Sequence, residues 1–121
     1  MTRKIVVVED DQPILDLMGI LLKKLDYEPV LIPNGPDALA YVRTEPPALI
    51  LLDIMMSPIS GWEFLNRLRN EYNMRDIPVI LFTASPTADG KLEELQDPKL
   101  GMLQKPVTFS ELKAALRKFI E

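Results

Sequence analysis

Two apolar runs in this chain end in acid. Ala48-Leu49-Ile50-Leu51-Leu52 stops at Asp53, and Ile5-Val6-Val7-Val8 stops at Glu9-Asp10-Asp11. A third run, Ile77 to Phe82, ends at the hydroxyl of Thr83, and a fourth, Leu100 to Leu103, is followed closely by Lys105. Carboxylates brought close together repel unless a proton or a cation holds them. The guest that suits them is magnesium, a hard ion that takes oxygen ligands, keeps several waters and bridges to phosphate. A cation and a lysine can neutralise phosphoryl oxygens, a hydroxyl can donate to them, and a carboxylate can attack phosphorus. Each residue alone has an ordinary alternative: a strand-end cap for the acids, a turn residue for Thr83, a solvated surface charge for Lys105. Only their joint placement points to chemistry, so the elements that position them decide the matter.

A continuous apolar run closed by a turn signal reads as a strand buried on both faces, the kind found in parallel sheets. Ala48 to Asp53 fits, with Ser57-Pro58 beyond it. Ile5 to Val8 is β-branched throughout and reads the same way. Glu28 to Ile32, flanked by Pro29 and Pro33, belongs at a sheet edge. Between the strands lie helical patterns. Pro13 suits a first helical turn with Asp11 as cap, and Ile14, Leu17, Met18, Leu21, Leu22 and Leu25 supply an apolar stripe. Asn34-Gly35-Pro36-Asp37 opens a helix carrying Ala38, Leu39 and Val42, and Pro46-Pro47 ends it. Ser60 and Glu63 form a capping box, with Ile59 and Phe64 as its staple. Thr108 and Glu111 form another, with Val107 and Leu112. Phe64, Leu65, Leu68 and Tyr72 face inward from the first of these helices. Leu112, Ala115, Leu116, Phe119 and Ile120 do so from the second. Pro86 to Asp97 suggests a helix weakened by Gly90, which costs about 1 kcal/mol relative to alanine.

Alternating strands and helices predict an α/β fold: a doubly wound, five-stranded parallel sheet with helices on both faces. Right-handed crossovers and the edge character of the second strand favour strand order 2-1-3-4-5. In that flavodoxin-like order, ligands bind at the carboxyl ends of strands one and three, where the winding reverses. Those two strands end in Glu9-Asp10 and Asp53.

The totals exclude several classes of function. With 121 residues the chain suits one domain. It has neither cysteine nor histidine. This removes disulfides, thiolate chemistry, Ser-His catalysis, imidazole metal ligands and phosphohistidine donation. The net charge of -4 opposes non-specific nucleic-acid binding. No signal peptide or spanning helix is legible, so a cytoplasmic protein with no membrane or direct nucleic-acid partner is expected.

Over its whole length the sequence resembles the receiver domain of two-component response regulators, the CheY-like family. The resemblance rests on Lys4-Ile5-Val6-Val7-Val8-Glu9-Asp10-Asp11, Leu51-Leu52-Asp53-Ile54-Met55-Met56, Gly61-Trp62-Glu63-Phe64-Leu65, Leu81-Phe82-Thr83-Ala84 and Lys105-Pro106. It implies that Asp53 accepts a phosphoryl group from a phosphohistidine on a sensor histidine kinase or phosphotransfer protein. It implies a magnesium site of Glu9 (through water), Asp10, Asp53 and the backbone carbonyl of Met55, with Thr83 and Lys105 contacting the phosphoryl oxygens. It further implies a cis peptide at Lys105-Pro106 and a phosphorylation-dependent face for a downstream effector protein. Because the chain stops directly after the last helix, no output domain is expected in it.

Three positions depart from the family pattern. Ser57 stands where proline often follows the Met-Met pair. Met102 replaces the usual aromatic switch residue three positions before the lysine. Pro86 to Pro98 matches poorly. Two other readings compete. A haloacid-dehalogenase-like phosphatase would need an acid two residues after its nucleophile, where this chain has Met55. A phosphorylation-independent docking module would have no use for the intact set of acids, Thr83 and Lys105. The expectation is a phosphoacceptor rather than an enzyme that turns over external substrate.

Overall fold

The computed structural model describes residues 3–84 and 95–120. Strands β1 (Lys4–Val8), β2 (Glu28–Ile32), β3 (Leu49–Asp53), β4 (Val79–Thr83) and β5 (Leu100–Gln104) form one sheet in the order β2-β1-β3-β4-β5. Every neighbouring pair is parallel. Helices α1 (Gln12–Lys24), α2 (Gly35–Thr44), α3 (Gly61–Asn66) and α4 (Phe109–Ile120) cover the two faces. This is the doubly wound sheet and strand order that the sequence predicts. Much of the helix expected between Pro86 and Asp97, Gly90 included, lies outside the described residues.

The period-two alternation of strand side chains splits the core into two layers. Val6, Val8, Ile50, Leu52, Val79 and Leu81 pack on one side against Ala38, Leu39 and Val42 of α2 and Phe64 and Leu65 of α3. Ile5, Val7, Leu49, Leu51, Ile80 and Phe82 pack on the other, against Leu15, Met18 and Leu22 of α1 and Leu112 and Leu116 of α4. β1 beyond Lys4, and the whole of β3 and β4, are buried, whereas of β2 only Ile32 is buried. That difference separates central strands from an edge, and it agrees with the prolines flanking β2.

Local signals set the helix starts. The Asp11 carboxylate accepts from the Ile14 amide and Asn34 Oδ1 from the Asp37 amide. Ser60 Oγ accepts from the Glu63 amide at 3.1 Å. The Thr108–Glu111 box is reciprocal. The Glu111 amide donates to Thr108 Oγ1 at 3.1 Å, and the Thr108 amide donates to Glu111 Oε1 at 3.2 Å. Such caps satisfy amides that the helix leaves open.

Two details differ from expectation. In α1 the buried residues are Leu15, Met18, Gly19 and Leu22, while Leu17 is 49% exposed and Ile20 54%. The helix is therefore turned relative to the predicted stripe, with Gly19 lying against the Leu31 side chain. After Asn66, α3 widens into a π-helical turn, Arg67–Glu71, with the Tyr72 amide donating to the Arg67 carbonyl at 2.9 Å. Arg69, in that turn, points inward. Its guanidinium donates to Asp97 Oδ2 at 2.8 Å, to the carbonyls of Met74 and Ile77 at 2.7 Å each, and to that of Lys99 at 3.2 Å. One buried cation thus ties the end of α3 to the chain leading into β4 and β5.

Candidate functional site

At the carboxyl ends of β1 and β3 the winding reverses, and the acids meet there. Glu9, Asp10 and Asp53 each offer an oxygen, and these oxygens lie within 4.8 Å of one another. Glu9 and Asp53 are buried and Asp10 is exposed, so the cluster has a closed inner side and an open mouth. Glu9 continues the Ile5-Val7 row and Asp53 the Leu49-Leu51 row, so strand alternation places both above the layer that α1 and α4 cover.

Lys105 follows β5 directly. Its Nζ lies 3.0 Å from Glu9 Oε1 and 3.3 Å from Asp53 Oδ1, and its amide donates to the Thr83 carbonyl at 2.8 Å. The Lys105–Pro106 peptide is cis, as expected. Thr83, the last residue of β4, is buried. Met55 enters through its backbone. Its amide donates to Asp53 Oδ1 at 3.2 Å, while the residue is 71% exposed. The following Ser57–Pro58 peptide, where the sequence departs from the family pattern, is also cis. Met102 pairs with Leu81 across the sheet and is partly buried against the α2–α3 layer.

The backbone around Asp53 is fixed from below by Gly61, the first residue of α3. Its amide donates to the Ile54 carbonyl at 2.9 Å. A Cβ on it would stand 2.5 Å from the Asp53 carbonyl oxygen and 2.7 Å from Ile54 Cα. Only glycine admits that approach.

Three carboxylates against one ammonium leave a formal charge of -2 when all are ionised. Burial pushes the Glu9 carboxyl up to about 8, reinforced by Asp53 and opposed by Lys105. Glu9 Oε2 is buried with no hydrogen-bond partner among the described residues. For Lys105, burial disfavours the charged form, but the hydrogen bond to Glu9 and the charges of Asp53 and Glu9 outweigh it and hold the ammonium above its ordinary range. A buried oxygen without a partner among the described residues, in a group of carboxylates that outnumber their ammonium, fits a divalent oxygen-seeking cation that takes the place of the Glu9 proton.

The sequence reading missed two contributors. Arg69 resembles a surface arginine, and its partners are mainly backbone carbonyls, which leave no trace in side-chain pattern. Phe82 carries only a strand signal in the sequence. Its ring lies beneath the lysine, with Lys105 Nζ 5.1 Å from the ring centroid.

Known proteins share this fold. The family model of the response regulator receiver domain matches residues 5–117. The N-terminal domain of a response regulator receiver protein from Methanoculleus marisnigri is 34% identical, with a TM-score of 0.80 over 98% of this chain and 96% of that one. The receiver domain of a sensor histidine kinase from Pseudomonas aeruginosa, with a magnesium ion coordinated in its active-site cleft, is 25% identical. Its TM-score is 0.87 over 99% and 98% of the two chains. The chemotaxis response regulator CheY4 of Vibrio cholerae shares the fold at 24% identity, with a TM-score of 0.87 over 98% and 99%.

Proposed function

This chain belongs to the family of response regulator receiver domains, and from that premise we propose that it is a phosphoacceptor in two-component signalling, with Asp53 as the residue that takes the phosphoryl group. The observation that carries the proposal is the position of Asp53. It closes a buried central strand, with Lys105 Nζ 3.3 Å away and Glu9 and Asp10 completing an acidic cluster. An Asp53 oxygen attacks the phosphorus of a phosphohistidine on a sensor histidine kinase or phosphotransfer protein. The P–N bond breaks, and its electron pair stays on the imidazole nitrogen.

Glu9, Asp10 and Asp53, with the Met55 carbonyl, are the groups that would hold magnesium, Glu9 through water. When bound, the ion supplies charge neutralisation at the phosphoryl oxygens. Lys105 already sits beside Asp53 and balances a further negative charge. Thr83, at the end of the adjoining strand, supplies a hydroxyl to the same group. Met55 stands where a phosphoester hydrolase of the haloacid-dehalogenase type needs an acid, so turnover of external substrate is not proposed. Phosphorylation adds charge beside Lys105 and Thr83, and the response passes to the β5–α4 side, where a downstream effector protein would dock. Among the described residues no helix is long and apolar enough to cross a membrane, which suits a cytoplasmic signalling role.

Acetyl phosphate with magnesium should place an acid-labile phosphoryl group on the protein, and Asp53→Asn should abolish it. Undiminished labelling of that variant would remove Asp53 from the role.

A further inference from the structure

Lys105 does not reach its acids through open space. In the sheet order, β4 lies between β5 and β3, and β1 lies beyond β3. Strands are spaced about 4.8 Å apart, so the backbones of β5 and β3 are separated by roughly 10 Å. The lysine side chain, starting just past β5, must therefore pass over β4 to come within 3.3 Å of Asp53 and 3.0 Å of Glu9. The residue it passes over is Phe82. Phe82 pairs with Asp53 on one side and with Leu103 on the other. It belongs to the Ile80 row, the face from which Glu9 and Asp53 also rise. Its ring is 1% exposed and held by the α1–α4 layer. The ammonium stands over that ring, 5.1 Å from the centroid. A cation within about 6 Å of a ring face is attracted to it, more strongly where water is excluded. Any large apolar residue would fill the core at position 82; only an aromatic one adds a face that binds a cation.

We infer that Phe82 is a positioning residue for Lys105: its ring is the floor over which the lysine spans from β5 to the acids, and it keeps the ammonium inside the crevice. This seat matters most when the carboxylates are shared with another cation, because among the described residues the ring is the partner of the ammonium that such a cation does not compete for. The effect on rate rests on the phosphoacceptor reading; the seating of the lysine does not.

The test replaces the hydrogens of the ring at position 82 with one, two or five fluorines, which keeps the shape and progressively cancels the negative face. In the metal-free protein, the Lys105 ε-methylene protons should show an upfield ring-current shift in the NMR spectrum, reduced in the five-fluorine variant. An unshifted methylene in the unmodified protein overturns the seat, whether or not Asp53 can be labelled. Labelling by acetyl phosphate should slow stepwise along the series, by about 2- to 30-fold in total, at an unchanged melting temperature. Phe82→Leu should slow it comparably. A constant rate across the series, or a loss that follows the melting temperature, would leave Phe82 as core packing and overturn the inference.

Discussion

The hydrogen at Gly61 Cα points at the carbonyl oxygen of Asp53: a methyl group in its place would sit 2.5 Å from that atom. This contact links the start of α3 to the end of β3 with no side chain between them. Gly61→Ala must push either the strand end or the helix aside. Overpacking of this kind costs about 1–3 kcal/mol. The melting temperature should fall, and acetyl phosphate labelling should drop further than the lost stability explains, because the displaced atoms carry Asp53. Labelling at the wild-type rate in the folded variant would show that the strand end tolerates the shift.

Stability should depend on pH through Glu9. In the folded, metal-free protein its carboxyl is raised to about 8, mainly by burial, against an ordinary value of 4.5. The folded state thus holds a proton that the unfolded state releases. The resulting stability is fully present below about pH 4.5 and is lost as pH rises toward 8. The slope is at most about 1.4 kcal/mol per pH unit. Urea unfolding in a chelator at pH 5, 6.5 and 8 should show the decline, and Glu9→Gln should flatten it. Magnesium should also flatten it, by replacing the proton. A metal-free stability that rises over this interval contradicts the assignment.

Arg69→Ala should be among the costlier single changes. It strips Asp97 of its charged partner and takes a donor from the carbonyls of Met74, Ile77 and Lys99, of which Lys99 keeps the Val79 amide. Breaking a buried ion pair by removing one member typically costs about 3–5 kcal/mol. Denaturant titration reads this directly. Arg69→Lys should restore little, since one ammonium cannot reproduce the planar fork.

The cap of α4 offers a milder case. Thr108→Ala removes the acceptor for the Glu111 amide and half of a reciprocal box. A loss of about 1 kcal/mol is expected. Because α4 begins three residues after Pro106, hydrogen exchange should quicken in its first turn while the acid cluster keeps its magnesium affinity. Protection unchanged at Ser110 to Leu112 would argue that packing by Leu112 alone holds the turn.

What could be read from the sequence was whatever has a local cause. β1 and β3 announce themselves through unbroken apolar runs, and both capping boxes through residue types three apart. The meeting of Glu9, Asp10 and Asp53 followed from strand order, which followed from the prolines flanking β2. α1 was harder. Ile14, Leu15, Leu17, Met18, Ile20, Leu21 and Leu22 leave hardly any side of the helix without an apolar residue. Periodicity therefore could not select the buried face, which includes Gly19 set against the Leu31 side chain. Arg69 was illegible because its partners are mostly main-chain atoms. The aromatic floor at Phe82 was illegible because a ring in a strand has a sufficient reason to be there without any cation.

The ion pair between Glu9 and Lys105 spans 96 positions of the chain. The acids are specified near its beginning and its middle, the lysine near its end, and every strand pairing in between is parallel and non-local. Contacts of such long range form slowly, after the entropy of closing the intervening loop has been overcome. The crevice is therefore complete only once β5 has paired with β4 and brought Lys105 to the acids. A chain whose fifth strand has not docked holds its acids without this counter-ion, so the charge pair at the crevice exists only in the fully assembled sheet.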